Sequence, residues 1–156
     1  MNKALIIIGI LFLTTTMSSC SYSPIFSEKN YNFEIEEVTY DGEKQVNKVI
    51  ANKLNLIQKK EGLEKKKYKL NIFSKKKKNI ISKDSKGDPL KFELIISVEY
   101  TVADNKSVLL NKELEKNNIY NSVSDLFELE KSEKIIIENI SGNISDIIIS
   151  SIINLD

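Results

Sequence analysis

The sequence predicts an α+β domain in the order β-α-β-β-β-α, with two helices packed on one face of a mostly antiparallel four-stranded sheet. Three patterns carry this. Leu90 to Val102 alternates apolar and polar residues with a period of two, the mark of a strand with one face on a core and one facing water. Val46, Val49, Ile50, Leu54 and Ile57 recur at helical spacing, and Ile137, Ile140, Ile144, Ile147, Ile148 and Ile152 do so again near the C-terminus.

Ahead of the domain stands an export signal. Met1-Asn2-Lys3 gives a positive start, and Ala4 to Leu13 is an unbroken apolar run. As a helix that run reaches only about 15 Å, against about 30 Å of bilayer hydrocarbon, so a cleaved signal fits better than a permanent span. Met17-Ser18-Ser19-Cys20 follows, resembling a lipobox: an apolar residue, two small ones, and the cysteine that receives diacylglycerol. The chain thus divides into a signal peptide over 1–19, a lipidated tether over 20–30 and a single domain over 31–156.

The competing reading makes Cys20 an ordinary thiol behind an ordinary signal. Its being the only cysteine favours the lipid: no intramolecular disulfide can form, and an exposed thiol in an oxidising compartment is a liability. Stable anchoring needs more than one acyl chain, which a triacylated or diacylated cysteine supplies. Ser21, where Asp would signal inner-membrane retention, points by sorting convention to the outer membrane, with the domain facing the periplasm.

Within the domain, Tyr31 to Tyr40 is the first strand. Phe33 and Ile35 share a face, Glu34 and Glu36 the other, and a bulge shifts the phase before Val38 and Tyr40. Asp41-Gly42 makes the turn into a helix that runs to Gln58, with Lys44, Lys48 and Lys59 toward solvent and Gly62 closing the region. The second strand starts near Lys67 and carries Tyr68, Leu70 and Ile72. Beyond them Ser74, Lys76 and Lys78 interrupt the apolar face before Ile80 and Ile81.

Strand three places Leu90, Phe92, Leu94, Ile96, Val98, Tyr100 and Val102 inward. Ala103 to Lys106 is turn chemistry, Val108, Leu110 and Leu114 begin strand four, and a turn is expected from Asn117 to Asn121. The last helix is read from Asp125 to Ile153 with Ser124 as its cap. A break at Gly142 is the alternative, since ten β-branched Ile residues and a glycine weaken its helical propensity. The thirteen residues of strand three reach about 43 Å and the first helix about 24 Å, so part of the sheet overhangs that helix.

Composition narrows function. All 23 basic residues are Lys, only Lys3 lies in the signal, and 22 acidic residues balance the rest, so nothing points to nucleic acid. The chain has no His and its one Cys is the proposed anchor, which removes the usual general base and thiol nucleophile. No phosphate-binding glycine loop or metal-ligand spacing appears, so no enzyme activity, cofactor or metal is expected. The local signal is Lys75, Lys76, Lys77 and Lys78, with Lys65, Lys66, Lys67 and Lys69 nearby. Such ammonium groups would grip phosphate or sugar acids loosely, as point charges. A solvated surface in a lysine-rich composition is the plain alternative.

Cys20-Ser21-Tyr22-Ser23-Pro24-Ile25-Phe26, the Asp41-Gly42 turn, the Val46-to-Leu54 helix, Tyr68-Lys69-Leu70, Tyr100-Thr101-Val102 and Ile119-Tyr120-Asn121 together resemble the LPS-assembly lipoproteins of the LptE family. Ser21 stands where that family usually has glycine. The resemblance implies an outer-membrane lipoprotein that plugs the β-barrel LptD, assists its assembly and helps insert lipopolysaccharide into the outer leaflet. No basic residue of the family's pattern is matched here; the lysine cluster itself suggests that Lys75, Lys76, Lys77 and Lys78 lie near the glycolipid route. An accessory lipoprotein of an envelope lipid transporter, holding a small lipid between sheet and helices, is the alternative.

Overall fold

The computed structural model describes residues 33–58 and 65–155; the signal over 1–19, Cys20 and the tether over 20–30, the start of the first strand and Gly62 lie outside the described residues. β1, Phe33–Gly42, buries Phe33 and Ile35, and a bulge between Ile35 and Glu37 lets Val38 and Tyr40 continue on the core side. Gly42 closes the strand at φ 90°, and a Cβ there would stand 1.9 Å from the carbonyl oxygen of Ser74, so only glycine lets the chain turn this close to its neighbour. α1, Lys44–Gln58, then buries Val46, Ile50 and Leu54 completely, while Lys44 and Lys48 face water.

β2, Lys66–Lys83, β3, Pro89–Ala103, and β4, Val108–Asn121, complete a sheet in the order β1-β2-β3-β4. The β2–β3 and β3–β4 pairs are antiparallel and β1–β2 is parallel, so the α+β order stands with a mixed sheet. The parallel pair follows from α1, because a helical crossover returns the chain to the same end. β4 corrects one expectation. Asn117 to Asn121 is strand and not turn: Asn117 pairs with Ile95, Asn118 with Leu94 and Asn121 with Lys91. Asn117 also donates its side-chain amide to Glu93 at 2.6 Å, so ladder and side-chain bonds override a local turn preference.

α2, Leu126–Ile153, is a continuous 28-residue helix. Asp125, not Ser124, caps it: Oδ1 accepts from the backbone N–H of Phe127 at 2.9 Å and of Glu128 at 3.4 Å, a carboxylate at the positive end of the dipole. The break at Gly142 does not occur. Lys53 of α1 donates to the Gly142 carbonyl at 3.0 Å and pairs with Asp146 at 2.7 Å, tying the two helices together across this turn. Ile149 joins the fully buried stripe where Ile147 was expected, while Ile137, Ile140, Ile144, Ile148 and Ile152 bury as predicted. By length and composition α2 is apolar enough to cross a membrane, and its isoleucine face is spent on the core.

Both helices lie on the face carrying Tyr68, Leu70, Ile72, Leu94, Ile96, Val98, Tyr100 and Val102, and no described element covers the other. That second face is mostly polar and charged, with Glu34 opposite Lys67, Glu37 opposite Lys69 with an ion pair at 3.9 Å, and Glu99 opposite Glu113, and it carries Phe73, Ile95 and Ile119 among them. The expected overhang is present. β2 has 18 residues and α1 has 15, so at about 3.3 Å against about 1.5 Å per residue the strand outruns the helix by more than twofold.

Candidate functional site

Where β2 leaves the cover of α1, its helix-side face changes from hydrocarbon to polar groups, each with its own partner. Ser74 is buried, and its Oγ donates to Asn47 Oδ1 at 2.8 Å and accepts from the Glu43 N–H at 3.0 Å. Asn47 Nδ2 in turn donates to the Asp41 carbonyl at 3.0 Å. This knot satisfies the backbone of the β1–α1 turn, so the first interruption of the apolar face is structural.

The four lysines that follow are separated by the strand's own geometry. Side chains alternate across a sheet, and the register opposes Lys76 to Ile96 and Lys78 to Leu94, both core residues, but Lys75 to Ser97 and Lys77 to Ile95 on the uncovered face. Lys76 and Lys78 therefore point toward the helices, and Lys75 and Lys77 away. Lys75 reaches the Phe73 ring, 5.0 Å from its centroid. No single patch contains all four.

The two helix-side lysines are held by carboxylates. Lys76 lies 3.7 Å from Glu43 and 3.3 Å from the Gln45 side-chain oxygen. Lys78 donates to Glu133 of α2 and sits 4.1 Å above the Phe92 ring centroid. Tyr120 of β4 donates to the same Glu133 oxygen at 2.7 Å, and its ring packs on Phe92 with centroids 5.6 Å apart. Burial alone would raise the Glu133 carboxyl, but hydrogen bonds from Lys78 and Tyr120 and the charges of Lys78 and Lys76 outweigh it and hold it below the ordinary carboxylate range. Burial, the bond to Glu133 and the Glu133 charge all push the Tyr120 hydroxyl upward, so it remains a donor.

Between Lys76, Gln45 and the start of α2 lies an open cleft of about 580 Å³, with Phe127 and Ile137 as its apolar lining and Glu130, Lys131, Glu133 and Lys134 as its charged lining. It runs into a groove of about 260 Å³ between α1 and α2 that shares Gln45, Lys134 and Ile137. Exposed apolar side chains gather at this end of the sheet: Ile80, Ile81, Leu90 and Val123 are about half exposed, and Leu126 and Phe127 are 73% and 70% exposed. Leu90, expected on the buried face, is half open because register shifts at Ile80 and Ser82 displace the end of β2.

Sequence reasoning found Lys76 and Lys78 but missed Glu43, Gln45, Glu133 and Tyr120. An apolar face broken by two lysines was the signal that partners must come from elsewhere in the chain. Cys20 lies outside the described residues.

No family model matches this chain, and no curated protein sequence matches it. Solved structures do. Rare lipoprotein B from Shewanella oneidensis is similar over 76% of this chain and 98% of its own, with a TM-score of 0.56 at 17% identity. Lipoprotein B from Nitrosomonas europaea is similar over 79% and 86%, with a TM-score of 0.55 at 20% identity. A minor lipoprotein from Acinetobacter baumannii is similar over 74% and 89%, with a TM-score of 0.51 at 12% identity. At these identities the likeness establishes a shared fold.

Proposed function

We propose that this chain is an LptE-like outer-membrane lipoprotein, anchored through Cys20, that plugs the LPS-transport barrel LptD, assists its assembly and helps pass lipopolysaccharide to the outer leaflet. The observation that carries the reading is the shared fold, which in rare lipoprotein B takes in 98% of the neighbour's length. The architecture suits the task. One sheet face is closed by two helices over a hydrocarbon core, and the other is a field of Glu and Lys compatible with a wet protein lumen. The far end combines exposed apolar side chains with Lys76, Lys131 and Lys134, the two kinds of group a phosphorylated glycolipid needs.

Affinity purification of the full chain in mild detergent tests this directly. A large outer-membrane β-barrel is the expected partner, with a mature N-terminus at an acylated Cys20 by mass spectrometry. Recovery of an inner-membrane lipid transporter instead would overturn the barrel assignment and favour the accessory-lipoprotein reading, which draws on the same mixed cleft. Filling of the sheet–helix interface by Ile50, Leu54, Ile96, Val98, Ile144 and Ile148, all fully buried, weighs toward the barrel.

A further inference from the structure

The first three turns of α2 are built unlike the rest of the helix. From Ile137 onward isoleucines and serines bury against the sheet and α1, whereas among Leu126–Ile136 only Leu129 is buried. Besides Leu129 and the half-buried Ile136, which packs on the edge of the core, what fastens this segment is polar: Glu133, held by Lys78 from β2 and Tyr120 from β4. Beneath it the helix-side faces of the strands carry Ile80, Phe92, Leu94 and Tyr120, with Lys76 and Lys78 alongside. Lys78 both grips Glu133 and roofs the Phe92 ring, so one cation closes the fastening and the apolar floor together.

We propose that Leu126–Ile136 is a flap that unwinds from the sheet as far as Ile137, and that the uncovered strip of Ile80, Phe92 and Leu94 takes an alkyl chain of an anionic amphiphile. The head group replaces the Glu133 carboxylate on Lys78. The exchange is one anion for another, so Lys78 is never left without a counter-charge, and the alkyl chain replaces the cover that Leu129 gave. The other charges around the exchange are Lys76 on β2 with its partner Glu43, and Glu130, Lys131 and Lys134 on the flap itself. The ligand class rests on the glycolipid reading above; the flap does not.

Hydrogen exchange on the full chain in phosphatidylcholine nanodiscs reads the flap. Amides of 130–136 should share one opening rate, at least about tenfold faster than 140–152, where simple end fraying would give a gradient along the helix. Glu133→Gln should raise that shared rate about tenfold more, and Tyr120→Phe, which keeps the ring and removes one bond, about threefold. Dodecyl phosphate is the binding probe, with inorganic phosphate and dodecyl maltoside as controls that lack the chain or the charge. Lys78→Ser, which removes the receiving cation, should abolish dodecyl phosphate binding, and Glu133→Gln, which removes the competing anion, should strengthen it.

Equal protection of 130–136 and 140–152, unchanged in both single variants, would remove the flap. Dodecyl phosphate bound equally by wild type, Lys78→Ser and Glu133→Gln would put the ligand elsewhere. Either result leaves barrel co-purification untouched, and loss of the barrel leaves the exchange rates untouched, so the two ideas fail separately.

Discussion

The two halves of the sheet are closed by different forces. Under α1 and the C-terminal two thirds of α2, Leu54, Tyr100, Ile144 and Ile148 meet in a core with no exposed surface. Past the start of α1 the cover is a single stretch of helix, and besides Leu129 and the half-buried Ile136 the contacts that hold it are Lys78–Glu133 and Tyr120–Glu133 over a floor of Phe92. Hydrocarbon burial resists opening because every displaced methylene costs free energy, whereas a charge pair loses little when water or another anion takes one side. The first region fixes the fold and the second is left able to respond.

The largest effect should come from the closed half. Ile144→Ala should destabilise the domain by about 3–4 kcal/mol in chemical denaturation, since the side chain is fully buried and a cavity remains. Gly42→Ala should cost about 3 kcal/mol, because the positive φ and the Ser74 carbonyl both exclude a Cβ; only the relaxation of β2 could lessen it. A comparable loss from Glu133→Gln would erase the contrast.

Glu133→Gln should instead cost about 1–2 kcal/mol, reduced by partial exposure of the pair. Its pH dependence sharpens the point. The Glu133 pKa is depressed in the folded protein, so its contribution is complete above the unfolded carboxylate value and is lost as pH falls through the folded one. Wild type should therefore lose stability relative to Glu133→Gln as pH drops below about 4, with the two curves converging at the acid end. Parallel curves over that range would mean that Lys78 and Tyr120 do not hold the Glu133 carboxylate.

The smallest stability effect, under about 0.5 kcal/mol, belongs to Lys75→Ser with Lys77→Ser, both on the uncovered face. Changing Lys76 and Lys78 should weaken glycolipid capture more than changing Lys75 and Lys77, with a loss that shrinks at high salt. Equal losses from the two pairs would show that the strand's alternation does not sort their roles.

Much of this contrast was legible in the sequence where burial imposes a period. β3 and α1 bury one face each, so Phe92 to Val102 and Val46 to Ile57 announce their structure and even their orientation. β4 was less legible because it is an edge strand: Asn117 and Asn118 favour turns locally, and only their partners on β3 hold them extended. The lysine cluster was visible, and its division between two faces follows from the same period of two. Its partners were not, because Glu133 reaches Lys78 across 55 residues of chain, and no local pattern encodes such a contact.

The parallel seating of β1 bears on the order in which the molecule assembles. β2, β3 and β4 join neighbours through short turns and can zip together from local encounters, whereas β1 can pair only after a helix has formed and crossed back. The meander is then expected to pair ahead of β1. A chain whose leading end is restrained at a surface would gather its remainder first and draw that end in last.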